Sequence, residues 1–171
     1  MFILVGPKGV GKSTIGRAVA ARNHVCFVDA EAIARKVFAQ CGGKVDDRYA
    51  RRAHEAILIA VQEAAERHPV VLFETTGASE HAASMLSELR GQHALHLVRL
   101  RASELVCAAR IAQRDQAAHV PVDPQIIHAM FEKVQSLDWP WDLTIDNDAH
   151  GGVEPLVAAL ASFVGSVSSS A

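Results

Sequence analysis

The sequence has few of the residues on which nucleic-acid-binding and membrane proteins depend. Its 171 residues include only two Trp, one Tyr and six Phe, and the formal net charge is −2. Few aromatic rings leave little surface on which bases could stack, and a slightly acidic chain has no general attraction for phosphate polymers. The apolar runs are too short to cross a bilayer. We therefore expect a soluble, cytoplasmic protein with no nucleic-acid or membrane partner.

Cysteine is also scarce, and the histidines form no recognisable metal motif. The three cysteines, Cys26, Cys41 and Cys107, are widely spaced and lack a C-x-x-C pattern. An odd number of separated cysteines indicates free thiols in a reducing compartment. None of the nine histidines stands in an H-E-x-x-H pattern. We expect the histidines to be scattered over the surface.

Short apolar runs alternate with amphipathic stretches of helical length along the chain. The predicted strands are Phe2–Val5, Val25–Val28, Val70–Phe73, Leu95–Leu100 and Leu143–Ile145. Apolar residues at three- and four-residue spacing predict helices at about 12–22, 30–39, 47–67, 79–90, 103–114, 123–135 and 153–164.

This alternation predicts a single-domain α/β fold. Continuous Val, Ile, Leu and Phe strands joined by helices indicate a parallel sheet covered on both faces, in which ligands bind beyond the carboxyl ends of the strands. We expect the domain to cover residues 1–164. The tail, residues 165–171, reads Gly-Ser-Val-Ser-Ser-Ser-Ala and has little to bury, so we expect it to be disordered.

The clearest motif is a phosphate-binding loop between the first strand and the first helix. Residues 6–13 read Gly-Pro-Lys-Gly-Val-Gly-Lys-Ser and fit the pattern G-x-x-x-x-G-K-[ST]. Glycines let backbone N–H groups line an anion-sized concavity, Lys12 reaches the outer phosphates, and the Ser13 hydroxyl binds Mg²⁺. The residues predicted to bind the nucleotide are Gly6, Pro7, Lys8, Gly9, Val10, Gly11, Lys12, Ser13 and Thr14. The alternative is a glycine-rich turn that binds nothing.

The loop and its surroundings resemble a known kinase family. The stretch from Gly6 to Arg17, a short strand ending at Asp29 and a late Arg-x-x-x-Arg resemble the shikimate kinase and gluconate kinase branch of the P-loop small-molecule kinases. The resemblance implies a three-layer α/β/α P-loop fold with a five-stranded parallel sheet in the order 2-3-1-4-5. It also implies ATP and Mg²⁺ as cofactors, a small-molecule acceptor, and a monomer or homodimer.

Two acidic residues follow the second strand. In this branch the strand ends in D-x-D, and here the sequence is Asp29-Ala-Glu31. The resemblance implies that Asp29 helps to hold Mg²⁺ and orients or deprotonates the acceptor hydroxyl, and that Glu31 faces the substrate as a longer variant. Asp29 also has a structural alternative, because an Asp between a strand and a helix is a favoured N-cap.

The third strand ends in a further candidate group. Glu74 closes an apolar run, the usual place of a P-loop acid that orients a magnesium-bound water. The alternative is a solvated strand end. Glu74-Thr-Thr-Gly77 stands where shikimate kinases have a glycine triplet, so Glu74 and Gly77 are candidate substrate residues and shikimate itself is not the expected acceptor.

Two groups of arginines complete the predicted site. Arg110 and Arg114 are four residues apart on one predicted helix and share a face. They resemble the lid arginines of this superfamily, with a lid at about residues 110–124; the alternative is a solvated helix face. Arg52 with Glu55 matches the spacing of the carboxylate-binding segment of the branch. This match predicts an acceptor with a carboxylate or phosphate, unless the arginine only forms surface ion pairs.

Together these features predict ATP- and Mg²⁺-dependent phosphoryl transfer to a hydroxyl of a small anionic metabolite. A nucleoside or nucleotide kinase is one alternative. Another is a regulatory nucleotide switch without an acceptor, since Glu74-Thr-Thr-Gly77 distantly resembles the D-x-x-G of GTPases. The base-reading N-K-x-D motif is absent from the sequence, which favours the kinase.

Overall fold

The computed structural model describes residues 1–22, 24–115, 117, 119–121, 123–148 and 152–168. Within them, five strands alternate with seven helices. The strands are β1 (Phe2–Val5), β2 (Cys26–Val28), β3 (Val71–Thr75), β4 (His96–Arg101) and β5 (Leu143–Asp146). The helices are α1 (Lys12–Arg22), α2 (Ala30–Gln40), α3 (Asp47–Arg67), α4 (Ala82–Gln92), α5 (Glu104–Gln113), α6 (Pro124–Gln135) and α7 (Glu154–Ser168).

The strands form one parallel sheet in the order β2-β3-β1-β4-β5, as predicted. The central strand β1 pairs with β3 on one side and with β4 on the other, so that Leu4 lies between Glu74 and Val98. Because all strands are parallel, their carboxyl ends meet at one edge of the sheet, where ligands bind in this class of fold.

Each face of the sheet is covered by helices, which explains why β1 is apolar throughout. Alternate residues of a strand point to opposite faces. Phe2 and Leu4 belong to one core cluster, which includes Ile15, Val19 and Leu160 of α1 and α7. Ile3 and Val5 belong to a second cluster, which includes Val61, Leu86 and Leu89 of α3 and α4. Every residue of β1 is therefore buried.

Helix α1 lies close to the sheet at Gly16. A Cβ atom at this position would clash with the ring of Phe27 in β2. No larger residue could occupy this position without moving the ring or the helix, so the glycine permits the close approach that brings α1 and its phosphate-binding loop against the sheet.

Most element boundaries differ from the prediction by a few residues, and two of these differences change the interpretation. Strand β3 continues to Thr75, so Glu74 lies inside the strand. Helix α7 continues to Ser168, and the disordered tail predicted from residue 165 is wrong for residues 165–168. The helix continues because Phe163 and Val167, one turn apart, both pack against the core. Residues 169–171 of the predicted tail lie outside the described residues.

The predicted lid falls at the end of α5 and in the connection to α6. Helix α5 ends at Gln113, and Arg114 caps it. Residues 116, 118 and 122 of this connection lie outside the described residues. Among the helices described, none is long and apolar enough to cross a membrane.

Candidate active site

The phosphate-binding loop connects β1 to α1 and requires its glycines. Gly9 and Gly11 have φ angles of +82° and +96°, which side chains other than glycine rarely adopt. A Cβ atom at Gly11 would also lie 2.8 Å from the amide nitrogen of Asn147. The same amide donates a hydrogen bond to the Val10 carbonyl at 2.7 Å. The loop is therefore held from outside by the residue that follows β5.

Lys12 lies folded along this loop. Its ammonium donates hydrogen bonds to the carbonyl oxygens of Gly6 and Pro7, both at 2.8 Å, and the residue is only 8% exposed. Burial lowers the pKa of Lys12, and the nearby Glu74 carboxylate opposes part of that effect. The lysine is thus a compact, desolvated charge at the centre of the loop.

Ser13 and Glu74 form the second part of the site. The Ser13 hydroxyl lies 2.9 Å from each carboxylate oxygen of Glu74. Glu74 is 4% exposed, so the alternative of a solvated strand end is wrong. Burial raises the pKa of Glu74, while Lys12 and the Ser13 hydroxyl act in the opposite direction.

A cleft of about 560 Å³ runs from the phosphate-binding loop across α2 towards α3 and α4. Six loop residues line it: Lys8, Gly9, Gly11, Lys12, Ser13 and Thr14. The other three predicted nucleotide residues, Gly6, Pro7 and Val10, support the loop through the carbonyl contacts described above. The volume of the cleft lies within the range of small-molecule sites, about 300–1,000 Å³.

Arg110 and Arg114 line the same cleft and are only partly exposed. One terminal nitrogen of Arg110 donates a hydrogen bond to the Asn147 carbonyl at 3.0 Å. Among the described residues, Nη1 of Arg110 and Nε of Arg114 are buried without a hydrogen-bond partner. The arrangement does not fit the alternative of a solvated helix face, and it leaves two cationic side chains with unused donors beside the cleft.

Asp29 has two structural roles at the start of α2. One carboxylate oxygen accepts the backbone N–H of Ala32 at 3.0 Å and caps the helix, and the other accepts from Arg17 in an ion pair. Asp29 does not line the cleft. Arg17 was not among the predicted site residues, but it lines the cleft.

Glu31 lies one residue further into α2 and does line the cleft. Its carboxylate is 3.5 Å from the ammonium of Lys8 and accepts the backbone N–H of Val120 at 3.0 Å. Burial alone would raise the pKa of Glu31, but Lys8, the Val120 amide, His119 and Arg114 together hold the pKa below its usual value. Glu31 is therefore an ionised carboxylate that links the loop to the α5–α6 connection.

Two predicted substrate residues are not brought into the cleft. Arg52 is exposed on α3 and does not line the cleft; it donates a hydrogen bond to the Cys41 sulfur at 3.9 Å. Gly77 has a φ angle of +73°, and a Cβ atom there would lie 2.7 Å from Leu137 and 3.0 Å from Trp139. The structure thus assigns Gly77 to packing and gives Arg52 no contact with the site.

Three histidines that were expected on the surface instead line the cleft: His54, His81 and His119. Two of them lie next to each other. His54 lies on α3 and His81 immediately precedes α4, and their ring centroids are 5.0 Å apart. The sequence carries no local signal for this pair, because 27 residues separate the two positions and only the packing of α3 beside α4 joins them. Trp139 and Trp141 pack against the core.

The comparisons with known proteins agree with this geometry. A family model described as an AAA domain matches residues 1–137. A shikimate kinase from Pseudomonas paraeruginosa is 43% identical over 44 residues, 26% of this chain and 24% of its own. The matched segment thus spans about a quarter of the length of this curated relative.

Two solved structures have a similar fold. A gluconokinase from Sinorhizobium meliloti 1021 has a TM-score of 0.68 at 18% identity, with 99% of this chain and 93% of that chain covered. A shikimate kinase from Acinetobacter baumannii in complex with shikimate has a TM-score of 0.65 at 18% identity, with 96% and 92% covered. The predicted resemblance to the shikimate and gluconate kinase branch is confirmed. Because the family model matches well over half of the chain, the protein belongs to the AAA domain family (AAA_33), with the fold of the P-loop kinases.

Proposed function

We propose that this protein transfers the terminal phosphoryl group of ATP, with Mg²⁺, to a hydroxyl group of a small molecule. The observation that carries the proposal is that three cationic side chains line one cleft. Lys12 lies in the phosphate-binding loop, and Arg110 and Arg114 lie on α5 with buried donors that have no partner among the described residues.

The unused donors fit a nucleotide phosphate. A buried polar group without a hydrogen bond costs about 1–3 kcal/mol, so a protein keeps one where a ligand satisfies it. Phosphate oxygens carry the negative charge that two guanidinium groups and an ammonium would neutralise. Catalysis of phosphoryl transfer consists mostly of such positioning and charge neutralisation.

The residues present also fit Mg²⁺. Ser13 and Glu74 supply a hydroxyl and a carboxylate within 2.9 Å of each other, and P-loop proteins hold Mg²⁺ with few protein oxygens beside those of the phosphates. When bound, the ion neutralises charge on the phosphates. Ser13 would hold the ion directly, and Glu74 would orient its water ligands.

We assign the acceptor hydroxyl to Glu31 and not to Asp29. Glu31 lines the cleft as an ionised carboxylate, so it can accept a hydrogen bond from the acceptor hydroxyl and take up its proton. Asp29 does not line the cleft, and its carboxylate caps α2 and pairs with Arg17. Asp29 would therefore fix the start of α2 and, through it, the position of Glu31.

The length of the cleft favours a kinase over a nucleotide switch. Beyond the loop, the cleft continues to residues of α3 and to the segment before α4, including Tyr49, Ser79 and His81. A switch that only hydrolyses its nucleotide has no use for this space. The deciding experiment is ADP formation measured with sugars, sugar acids, cyclitols and nucleosides in turn. Acceptor-dependent ADP formation supports the proposal, and a rate that stays the same with every compound contradicts it.

A further inference from the structure

The part of the cleft lined by α3, by the segment before α4 and by α4 has its own chemistry. We call it the acceptor end and define it by Tyr49, His54, Ile57, Ser79, His81 and Met85. These residues come from α3, from the segment before α4 and from α4 itself. They present a phenol, a hydroxyl and two imidazoles beside two apolar side chains.

Helix α3 turns its uncharged side towards the cleft. Tyr49, Ala53 and Ile57 follow one another at intervals of four residues and all line it, with His54 beside them. The three arginines at the start of α3 point elsewhere and are exposed: Arg48, Arg51 and Arg52. Arg52, which the sequence predicted to bind an anionic acceptor, therefore lies outside the cleft together with its two neighbouring arginines.

The five Lys and Arg residues among the described lining residues all have other partners or face the phosphates. Lys12 bonds to loop carbonyls, Lys8 pairs with Glu31, and Arg17 pairs with Asp29; the remaining two are Arg110 and Arg114 of α5. No cation is thus left at the acceptor end. A carboxylate there would lose its hydration without gaining a partner, and it would approach Glu31, which carries the same charge.

The histidine pair suits hydroxyl groups. Burial and then the neighbouring His81 lower the pKa of His54, against the opposing effects of Glu88 and Glu55, so His54 is neutral at neutral pH. A neutral imidazole has one donor and one acceptor, as a hydroxyl has. Burial, with Glu31 and Cys41, raises the pKa of Tyr49 to about 12, so its phenol remains a donor.

We propose that the acceptor is a neutral, hydroxylated compound, a sugar, polyol or nucleoside, bound at the acceptor end by His54 and His81. This inference rests on the phosphoryl-transfer function proposed above and names its substrate class. The acceptor end offers groups that hydrogen-bond to hydroxyls, and its described residues include no unpaired cation. It should therefore bind a neutral compound better than the acid with the same carbon skeleton.

Matched pairs of acceptors test this class directly. The pairs are D-glucose with D-gluconate, D-ribose with D-ribonate, adenosine with AMP, and uridine with UMP, and kcat/KM is measured by ADP formation. We expect the neutral member of the accepted pair to be favoured by at least about tenfold. Comparing the two sugar pairs with the two nucleoside pairs shows which of these compound classes the protein accepts. A preference for the acidic member, or equal use of both, would overturn the inference while leaving the kinase function standing.

Variants of the two histidines test whether these residues bind the acceptor. His54→Phe and His81→Phe should each raise the KM of the accepted compound by about tenfold or more without changing the KM of ATP. His54→Gln, which keeps a donor and an acceptor, should recover part of the loss. His68→Phe, exposed at the end of α3, and Arg52→Ala should have no effect.

Two results of this series count against the account. An acceptor KM that depends on Arg52 but not on the histidines would overturn the assignment of the acceptor end. If no compound raises ADP formation above the rate without acceptor, although calorimetry shows that ATP binds, the phosphoryl-transfer function itself fails, and the substrate class fails with it.

Discussion

The Ser13 hydroxyl lies 2.9 Å from both oxygens of the Glu74 carboxylate, although the two residues are 61 positions apart. The contact exists because β3 pairs with β1, which places Glu74 beside the loop that leaves β1. One side chain supplies a hydroxyl and the other a buried charge. Variants of this pair therefore test the proposed Mg²⁺ site through both kcat and the pH dependence of the free energy of unfolding.

Replacing Glu74 by Gln should lower kcat by about a hundredfold or more, because the variant loses a charge that orients the metal's ligands. Steady-state assays at several Mg²⁺ concentrations measure this effect. An unchanged kcat would remove Glu74 from the site.

The same variant should show a pH-dependent gain in stability without nucleotide. Burial raises the pKa of Glu74 in the folded state, so its stabilising contribution is present at low pH and is lost as pH rises through the folded-state pKa. The free energy of unfolding of Glu74→Gln should therefore increase relative to wild type as pH rises from about 4.5. Urea titrations at several pH values measure it, with the exposed Glu66→Gln as control. A difference that does not change with pH would contradict the buried position of the charge.

Lys12→Ala should reduce ATP turnover by at least about a hundredfold, because the loop loses the ammonium that we expect to reach the outer phosphates. Lys12→Arg should fail as well, since a forked guanidinium does not fit the place of a buried, compact ammonium. ADP formation and calorimetry with ATP measure both effects, and Lys36→Ala on the exposed side of α2 is the matched control. Normal turnover in either variant would contradict the nucleotide site.

Arg114→Met should lower kcat by about a thousandfold while the melting temperature without nucleotide stays the same or rises. The activity falls because a cation next to the phosphates is lost. Stability does not fall because the substitution removes a buried donor that has no partner among the described residues. Thermal unfolding and steady-state kinetics test the two halves separately, and a lower melting temperature would indicate a structural role instead.

Substitutions at Asp29 and Glu31 should show separately the effects of helix capping and of catalysis. Asp29→Ala should lower the free energy of unfolding by about 1 kcal/mol through loss of the N-cap, and Asp29→Asn, which can still cap, should lower it less. Glu31→Gln should affect stability little and reduce kcat more than Asp29→Asn does, because only Glu31 lines the cleft. The opposite order of the two kcat values would return the acceptor-orienting role to Asp29.

Gly16→Ala should destabilise the protein by about 1–3 kcal/mol, because the added methyl group overlaps the ring of Phe27. Gly91→Ala in α4 is the matched control: nothing lies within 4 Å of its added Cβ, so helix propensity alone should stabilise it by about 0.5–1 kcal/mol. Chemical denaturation of both variants gives the comparison. Equal effects would mean that α1 does not approach the sheet so closely.

The strands and the phosphate-binding loop could be predicted because their signals are local, whereas the order of the strands was implied by the resemblance to the P-loop kinases. A run of apolar residues specifies a strand, and the loop pattern specifies glycines, a lysine and a serine within eight positions. The orientation of α3 could not be predicted in this way. Helical spacing places Arg48 and Arg52 on a common side, but only the packing of the helix against β2 and β3 decides that Tyr49 and His54 face the cleft instead.

The partners of the charged residues could not be predicted either, because they depend on the fold. Asp29 could be recognised both as a cap and as an acid at a strand end, but its ion pair with Arg17 requires α1 to pass close to the start of α2. Likewise, the contacts of Glu31 with Lys8 and Val120 join three separate parts of the chain. A single sequence contains no local pattern that would reveal them.

The most direct test of the central claim is the fate of the terminal phosphate of ATP, followed by ³¹P NMR with the neutral acceptor that most increases ADP formation. The account predicts a phosphate monoester resonance that grows in step with ADP, is absent with Lys12→Ala, and is accompanied by little inorganic phosphate. If all of the transferred phosphate instead accumulates as inorganic phosphate, the protein hydrolyses its nucleotide, and the assignment as a small-molecule kinase is contradicted.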